Sequence, residues 1–506
     1  MWKNTERNRA IRSIAAAIGL FSLIGSLHAG HLSLTLDEAI KTALENSARL
    51  EAERYAQQIA QAQYRQAMSA NFPHVQLSLG VSRRDQDINY KASGTFELPQ
   101  DFTNQLVLSG AEVQDELTAA LSGQPNTHTN LLDAFQKVQA GLIPAQSLPF
   151  EMDITTLGRD TAAAQLDLEY ALYTGGRVSA LLRQARLNER IHSEKIRRTK
   201  AEVIYDTRRY YYAVILAEKI ASEVADTLER LKMVRDLTEA FYKGNSMRVK
   251  KTDYLRTLLT VDLARSMLEQ SRSSVKLAKA ALVNALGVPY DTEIEVVEKE
   301  FSQPREENDV TKLIEMAYRF NPDYNQLRLA IDISEAKIDE SQSGYLPSIG
   351  FTANASHYYN SYDGGLNTRN NRNSWTIGIG LKWNLFNGFL DKEKIQQAKL
   401  EKKERQHTEI LLKKGLALQV KAAFLELDRA QRQYRALLSA TKHAAENAKL
   451  NIRAYREDMV ETKDVLEAQL MEAFTKTAFF KSQADYETNR ALIDFIVTRS
   501  VEEKSD

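Results

Sequence analysis

The sequence contains no cysteine in 506 residues. This excludes disulfides, thiolate metal ligands and a lipidated cysteine anchor. It also lacks net charge, since 67 basic residues balance 67 acidic ones, so nothing in the balance calls for nucleic acid as a partner. Beyond the N-terminus no stretch approaches the roughly 20 apolar residues of a spanning helix. Proline is scarce, with 9 in all, and Arg177 to Lys243 contains neither proline nor glycine. Catalytic motifs are missing as well: there is no His-Glu-x-x-His, no phosphate-binding glycine loop and no nucleophile elbow. The 8 histidines are scattered, with His28, His31 and His74 near the start and His128 further on. None has metal-ligand spacing on a helix. The expectation is a protein that is not an enzyme and holds no metal or cofactor.

The N-terminus reads as a secretory signal. Lys3, Arg7, Arg9 and Arg12 precede an apolar stretch from Ile14 to Leu27, which is short for a membrane anchor. Cleavage after Ala29 is expected, making residues 1–29 a signal peptide. The mature chain is then exported and has no inner-membrane helix.

The mature chain repeats itself. A helical pattern gives way to an alternating strand at Asn71-Phe72-Pro73-His74-Val75, and again at Tyr345-Leu346-Pro347-Ser348-Ile349. Each time a second strand follows, then a glycine turn, then very long helical runs. The turns are Thr174-Gly175-Gly176-Arg177 and Phe386-Asn387-Gly388-Phe389. Two copies of a strand–strand–long helix–long helix unit imply tandem duplication. The first copy covers 30–289, with an opening helix, strands near 75–82 and 164–173, an enlarged surface loop over 83–162, and a helical hairpin over 177–287. A charged linker over 290–309 follows, and the alternation from Thr292 to Val297 suits a short strand. The second copy covers 310–506, with strands near 348–356 and 375–385 and a hairpin over 391–500.

The four strands alternate with period two. Val75, Leu77, Leu79 and Val81 oppose Gln76, Ser78, Gly80 and Ser82. Trp375, Ile377, Ile379, Leu381 and Trp383 oppose Thr376, Gly378, Gly380 and Lys382. Such strands fit a half-buried soluble sheet or a barrel wall with lipid outside and water within. The helices form the bulk of the chain. Thr35 with Glu38 has capping-box spacing for the opening helix. From Arg177 to Lys243 an unbroken helix would reach about 100 Å. Apolar residues such as Val203, Tyr210, Val214, Leu228 and Leu231 recur along it, and helices this long must pack side by side.

Geometry then constrains the strands. The smallest membrane barrels need about eight strands. Four alone would leave edge amides unpaired in hydrocarbon at several kcal/mol each. If these strands enter a membrane, several chains must share one barrel.

At this point the residues match a known pattern. The chain resembles the TolC-type outer-membrane efflux family. The resemblance rests on Leu34-Thr35-Leu36-Asp37-Glu38-Ala39-Ile40 and Asn321-Pro322, the strand openings at Pro73 and Pro347, and the turns at Gly175, Gly176 and Gly388. It also rests on Thr252-Asp253-Tyr254-Leu255 and Lys463-Asp464-Val465-Leu466-Glu467-Ala468, which match the family's hairpin tips.

The resemblance implies a mostly α protein with membrane β, in which four strands per chain join a shared trimeric β-barrel continuous with a periplasmic α-helical barrel. It implies an outer-membrane channel of a tripartite efflux or type I secretion system. The partners it implies are a periplasmic adaptor, an inner-membrane pump or ABC exporter, and outer-membrane lipid. By motif position Asp464 and Glu467 correspond to an acidic constriction at the periplasmic entrance. Thr252, Asp253 and Tyr455 correspond to the network that closes the tips. Where the family has an arginine four residues before the aspartate, this chain has Val460. A second class of reading is a periplasmic coiled-coil adaptor or scaffold; duplicated strand pairs disfavour it.

Overall fold

The structure, a computed structural model, describes residues 31–94, 111–119, 121–122, 128, 130, 150–244, 249–303, 309–365 and 368–498. The expected signal peptide, 1–29, lies outside the described residues.

The element order runs through one cycle twice. The first pass is β1 (His31–Leu34), α1 (Leu36–Asn46), α2 (Ala48–Met68), β2 (His74–Arg83), β3 (Ile88–Gly94), β4 (Phe150–Leu157), β5 (Asp160–Tyr173), α3 (Arg177–Lys243) and α4 (Lys251–Leu286). The second is β6 (Glu293–Val296), α5 (Val310–Phe320), α6 (Pro322–Gln342), β7 (Ser348–Asn360), β8 (Asn373–Lys382), α7 (Leu390–Arg456) and α8 (Thr462–Val497). Matching helices have equal lengths. α1 and α5 have 11 residues, α2 and α6 have 21, α3 and α7 have 67, and α4 and α8 have 36.

Local chemistry sets the boundaries. The Thr35 side chain accepts from the Glu38 amide, and Glu38 returns a carboxylate to the Thr35 amide at 2.8 Å. In the second copy Asn321 caps α6, its Oδ1 accepting from the amides of Asp323 and Tyr324, with Pro322 at the first helical position. Asn321 Nδ2 also donates to the Ile496 carbonyl at 3.0 Å.

Contacts divide the chain into two compact units. One comprises residues up to Tyr55, Ser193–Asn325 and those from Ile410. Its apolar clusters are built mainly from helices. Tyr211, Val214, Ile215, Leu282 and Leu286 pack with Ile294 and Val296. Leu416, Val420, Ala423 and Leu427 pack with Ile493 and Val497. Leu228, Leu231 and Val234 pack with Val261, Leu268, Val465 and Leu466. The stretch expected as a linker contributes β6, which pairs in parallel with β1.

The other unit comprises Ala56–His192 and Gln326–Glu409. It holds a four-stranded antiparallel sheet of order β2-β5-β7-β8. β8 stops at Lys382 rather than near 385, because Lys382 already pairs with Ser348, the first residue of β7. Before it stands Pro347, which has no N–H to extend the ladder. The stretch expected as a surface loop, 83–162, carries regular structure. β3 and β4 form a hairpin, and residues 111–119 form a helix, called here the insert helix. The alternation of Ile88, Tyr90 and Ala92 was legible but short.

Candidate functional site

The sheet presents its apolar face outward. Register places Val75 opposite Leu168, Leu77 opposite Leu166, and Phe351 between Tyr170 and Ile379. One face is therefore apolar across all four strands. On it Val81 is 88% exposed, Trp375 75% and Ile379 69%. A soluble sheet buries such a face, since removing apolar area from water is worth about 25 cal/mol per Å². The opposite face is polar. There Asn354 Nδ2 donates to Asp167 Oδ1 at 2.6 Å, and Gln165 Nε2 donates to the same oxygen at 2.9 Å. Among the described residues the outer strands β2 and β8 pair on one side only. No described helix is long and apolar enough to cross a membrane.

The predicted turns frame this sheet. Phe72 and Leu346 each donate an amide to the residue three before them, Ser69 and Ser343, closing a tight turn just ahead of Pro73 and Pro347. At the other ends two consecutive residues are left-handed in both copies. They are Gly175 (φ 63) and Gly176 (φ 87) in the first, and Gly388 (φ 68) and Phe389 (φ 68) in the second. Gly175 is the constrained one. A Cβ there would lie 2.8 Å from Leu346 Cβ and 2.9 Å from the Ser343 carbonyl oxygen.

The predicted tip residues fall at the hairpin ends of the helical unit. Asp253 is the third residue of α4, and its carboxylate accepts the Lys250 amide at 3.0 Å. Asp464 holds the same place in α8 and accepts the Glu461 amide at 3.2 Å. Thr252 lies beside Asp253 in the first turn of α4 and is exposed. Glu467 is exposed and lines a cleft of about 400 Å³ with Arg256 and Lys463. Tyr455 is buried; its hydroxyl shares hydrogen bonds with Thr238 (2.7 Å) and Thr462 (3.0 Å). Its ring meets Phe241 edge-on at 5.7 Å. Val460, at the position of the family's arginine, packs against this same apolar cluster.

One constellation escaped the sequence reading. Between α3 and α8 lies a buried charged cluster. Arg230 donates to Gln469 (2.8 Å), Glu223 (3.0 Å) and Thr227 (3.0 Å), and it approaches Glu472 at 3.6 Å. Lys476 bridges Glu223 (3.2 Å) and Glu472 (2.7 Å). Glu223 is 6% exposed and Glu472 7%. Burial works against the Lys476 charge, but the hydrogen bond to Glu472 and the charges of Glu223 and Glu472 outweigh it, so its pKa is raised. Another buried acid, Glu487, lies beside Tyr212, whose hydroxyl is pushed up first by burial and then by that carboxylate. Among the described residues no group of three or more His, Cys, Asp or Glu could hold a metal ion.

Known proteins resemble this chain in sequence over part of its length and in fold over most of it. The sequence model of the outer membrane efflux protein family matches residues 313–496. The alkaline protease secretion protein AprF of Pseudomonas aeruginosa is 25% identical over 202 residues, 39% of this chain and 41% of that protein. The match thus spans about two fifths of that curated relative. A crystal structure of a membrane protein from Pseudomonas aeruginosa has a TM-score of 0.68 at 17% identity, covering 91% of this chain and 92% of its own. The outer-membrane channel OprN has a TM-score of 0.67 at 13% identity, covering 91% and 89%. These structural likenesses establish the fold. The family model thus matches residues 313–496, and the fold across most of the chain is that of the solved membrane channels.

Proposed function

We propose that this chain is one subunit of an outer-membrane exit duct serving a tripartite efflux or type I secretion system. The observation that carries the reading is the sheet with its apolar face outward and two open edges. In hydrocarbon an open edge strands its amides without water. Neighbouring copies cure this by pairing β8 of one chain with β2 of the next. Three copies give twelve strands, a closed barrel within the known range. The apolar face then meets lipid and the polar face lines a water-filled lumen.

The long helices of the same three chains form a tunnel in the periplasm, and the duct is passive. Transport energy comes from an inner-membrane pump or ABC exporter, joined through a periplasmic adaptor at the hairpin tips. Asp464 and Glu467 supply negative charge at the tunnel entrance, where a ring of carboxylates concentrates cations. Thr252, Asp253 and Tyr455 hold the tips closed. The equal helix lengths of the two copies support a tandem duplication behind this design. The name of the curated relative, a protease secretion protein, supports the secretion branch.

Fractionation of cells, with gel mobility before and after heating, tests the reading. An outer-membrane, heat-modifiable oligomer is expected. A soluble periplasmic protein would instead favour an adaptor or scaffold.

A further inference from the structure

The insert helix rests on the polar face of the sheet, the face that would line the lumen. Leu117 and Leu121 point to β8 at Gly378 and Gly380. A Cβ at Gly378 would lie 3.8 Å from Leu117 Cδ1; one at Gly380 would lie 2.8 Å from Leu121 Cγ and 2.9 Å from Leu117 Cδ1. Gly380 is buried by this contact, while its apolar-face neighbours Ile379 and Leu381 are bare. Ser348 Oγ on β7 donates to the Leu121 carbonyl at 3.4 Å. Asp115 is buried and accepts the Asn130 amide at 2.8 Å, tying the helix to a residue that follows it. Beneath the helix lies a cleft of about 500 Å³, lined by Glu116, Leu117, Asp167, Asn354 and Gly378 among others.

Two features of this packing are opposite to what a bare channel wall needs. A strand that only faces water has no use for glycine, which weakens it. Here glycines occupy the two polar-face positions of β8 where leucines from another segment approach. A hydrated wall also has no apolar partner, yet Leu117 and Leu121 find one on a face otherwise made of Gln165, Asp167, Thr352 and Asn354. The glycines and leucines are complementary in shape, as at other sites of close backbone approach.

We propose that the insert helix, 111–119, together with Leu121, is a resident restriction of the duct, seated inside the barrel and setting the size and charge of what passes. This rests on the exit-duct reading given above. The helix carries the exposed acids Glu112 and Glu116, and Glu116 lines the cleft beside Asp167. With Asp167 and Glu169 on the strand below, it makes the restriction acidic, so it favours cationic and small neutral solutes over anions and bulky ones. Each chain of a ring contributes one such helix.

The test exploits the natural absence of cysteine. Leu121→Cys with Gly380→Cys removes the leucine whose bulk excludes a side chain at 380. In outer-membrane fractions, oxidation should link these two cysteines within one chain. In planar bilayers, full-length protein carrying Leu117→Asp with Leu121→Asp should conduct at least about two-fold more than the unaltered chain and admit larger polymers. The oxidised cysteine pair should keep the unaltered conductance. Failure of the cysteines to link overturns the seat. Linkage without any change of conductance or polymer cutoff in the aspartate variant overturns the restriction. An unaltered chain that links normally but never conducts in the bilayer overturns the duct reading, and the restriction with it.

Discussion

Asp253 and Asp464 are structural twins: each is the third residue of a 36-residue helix and each accepts the amide of the residue just before that helix, at 3.0 and 3.2 Å. An acid in a first turn also suits the positive end of the helix dipole. Both therefore start helices, whatever else they do. Replacing either by alanine should cost about 1 kcal/mol of local stability, read as faster amide exchange in the first turn of α4 or α8. The proposed constriction adds a second expectation for Asp464 alone. Single-channel recording of Asp464→Ala should show weaker cation preference and weaker block by multivalent cations. Unchanged selectivity would leave Asp464 only its capping role.

Arg230 holds two buried carboxylates, with Lys476 as their other cation. Arg230→Met should destabilise the helical unit by about 3 kcal/mol, the low end for breaking a buried pair, because Lys476 still neutralises part of the charge. Replacing Glu223 by leucine in the same protein should recover some of that loss. Denaturation in detergent followed by circular dichroism measures both. A loss below about 1 kcal/mol would place Arg230 with ordinary surface pairs.

The same cluster predicts an alkaline limit. The folded-state pKa of Lys476 lies above its ordinary value of 10.5. Its contribution to stability is thus complete below 10.5 and is lost as pH rises through the folded value. Melting temperature of the unaltered protein should fall across that window. Lys476→Met should be less stable at neutral pH and show a shallower alkaline decline. Parallel declines in the two proteins would remove Lys476 from the account.

The two glycine turns separate conformational strain from collision. Gly388→Ala places a Cβ in open space at φ 68 and should cost about 1 to 2 kcal/mol. Gly175→Ala adds contact with Leu346 and Ser343 to the same left-handed penalty. It should lower the dissociation temperature of the assembled protein clearly more than Gly388→Ala. Equal effects would show that Leu346 and Ser343 yield freely.

Much of the fold was legible because its signals are local and repeated. The proline-led strand openings, the left-handed turns and the long stretches free of helix breakers each have a near-duplicate in the other copy. The four strands were found because period-two alternation is unambiguous when it runs to Trp375, Ile377, Ile379 and Leu381. The ends were less legible: β8 stops where its partner stops, which no property of Trp383 or Leu385 reveals. The structure within 83–162 was missed because β3 and β4 are short and far apart in sequence. The Arg230 cluster was missed for a different reason. Glu223, Thr227 and Arg230 recur at helical spacing on α3, as do Gln469, Glu472 and Lys476 on α8, but that spacing also describes a solvated face. Only the meeting of the two stripes makes them a buried network. The tip residues were placed by resemblance, and Tyr455 shows what that leaves out: its partners Thr238 and Thr462 carry no motif.

The central claim is that each chain supplies one part of a barrel wall and neighbours complete it. Native mass measurement of the protein extracted from membranes in mild detergent tests this most directly. The account predicts a particle of three chains that releases single chains only when its strands denature. A particle of one chain, with β2 and β8 protected from amide exchange as fully as the inner strands β5 and β7, would contradict it.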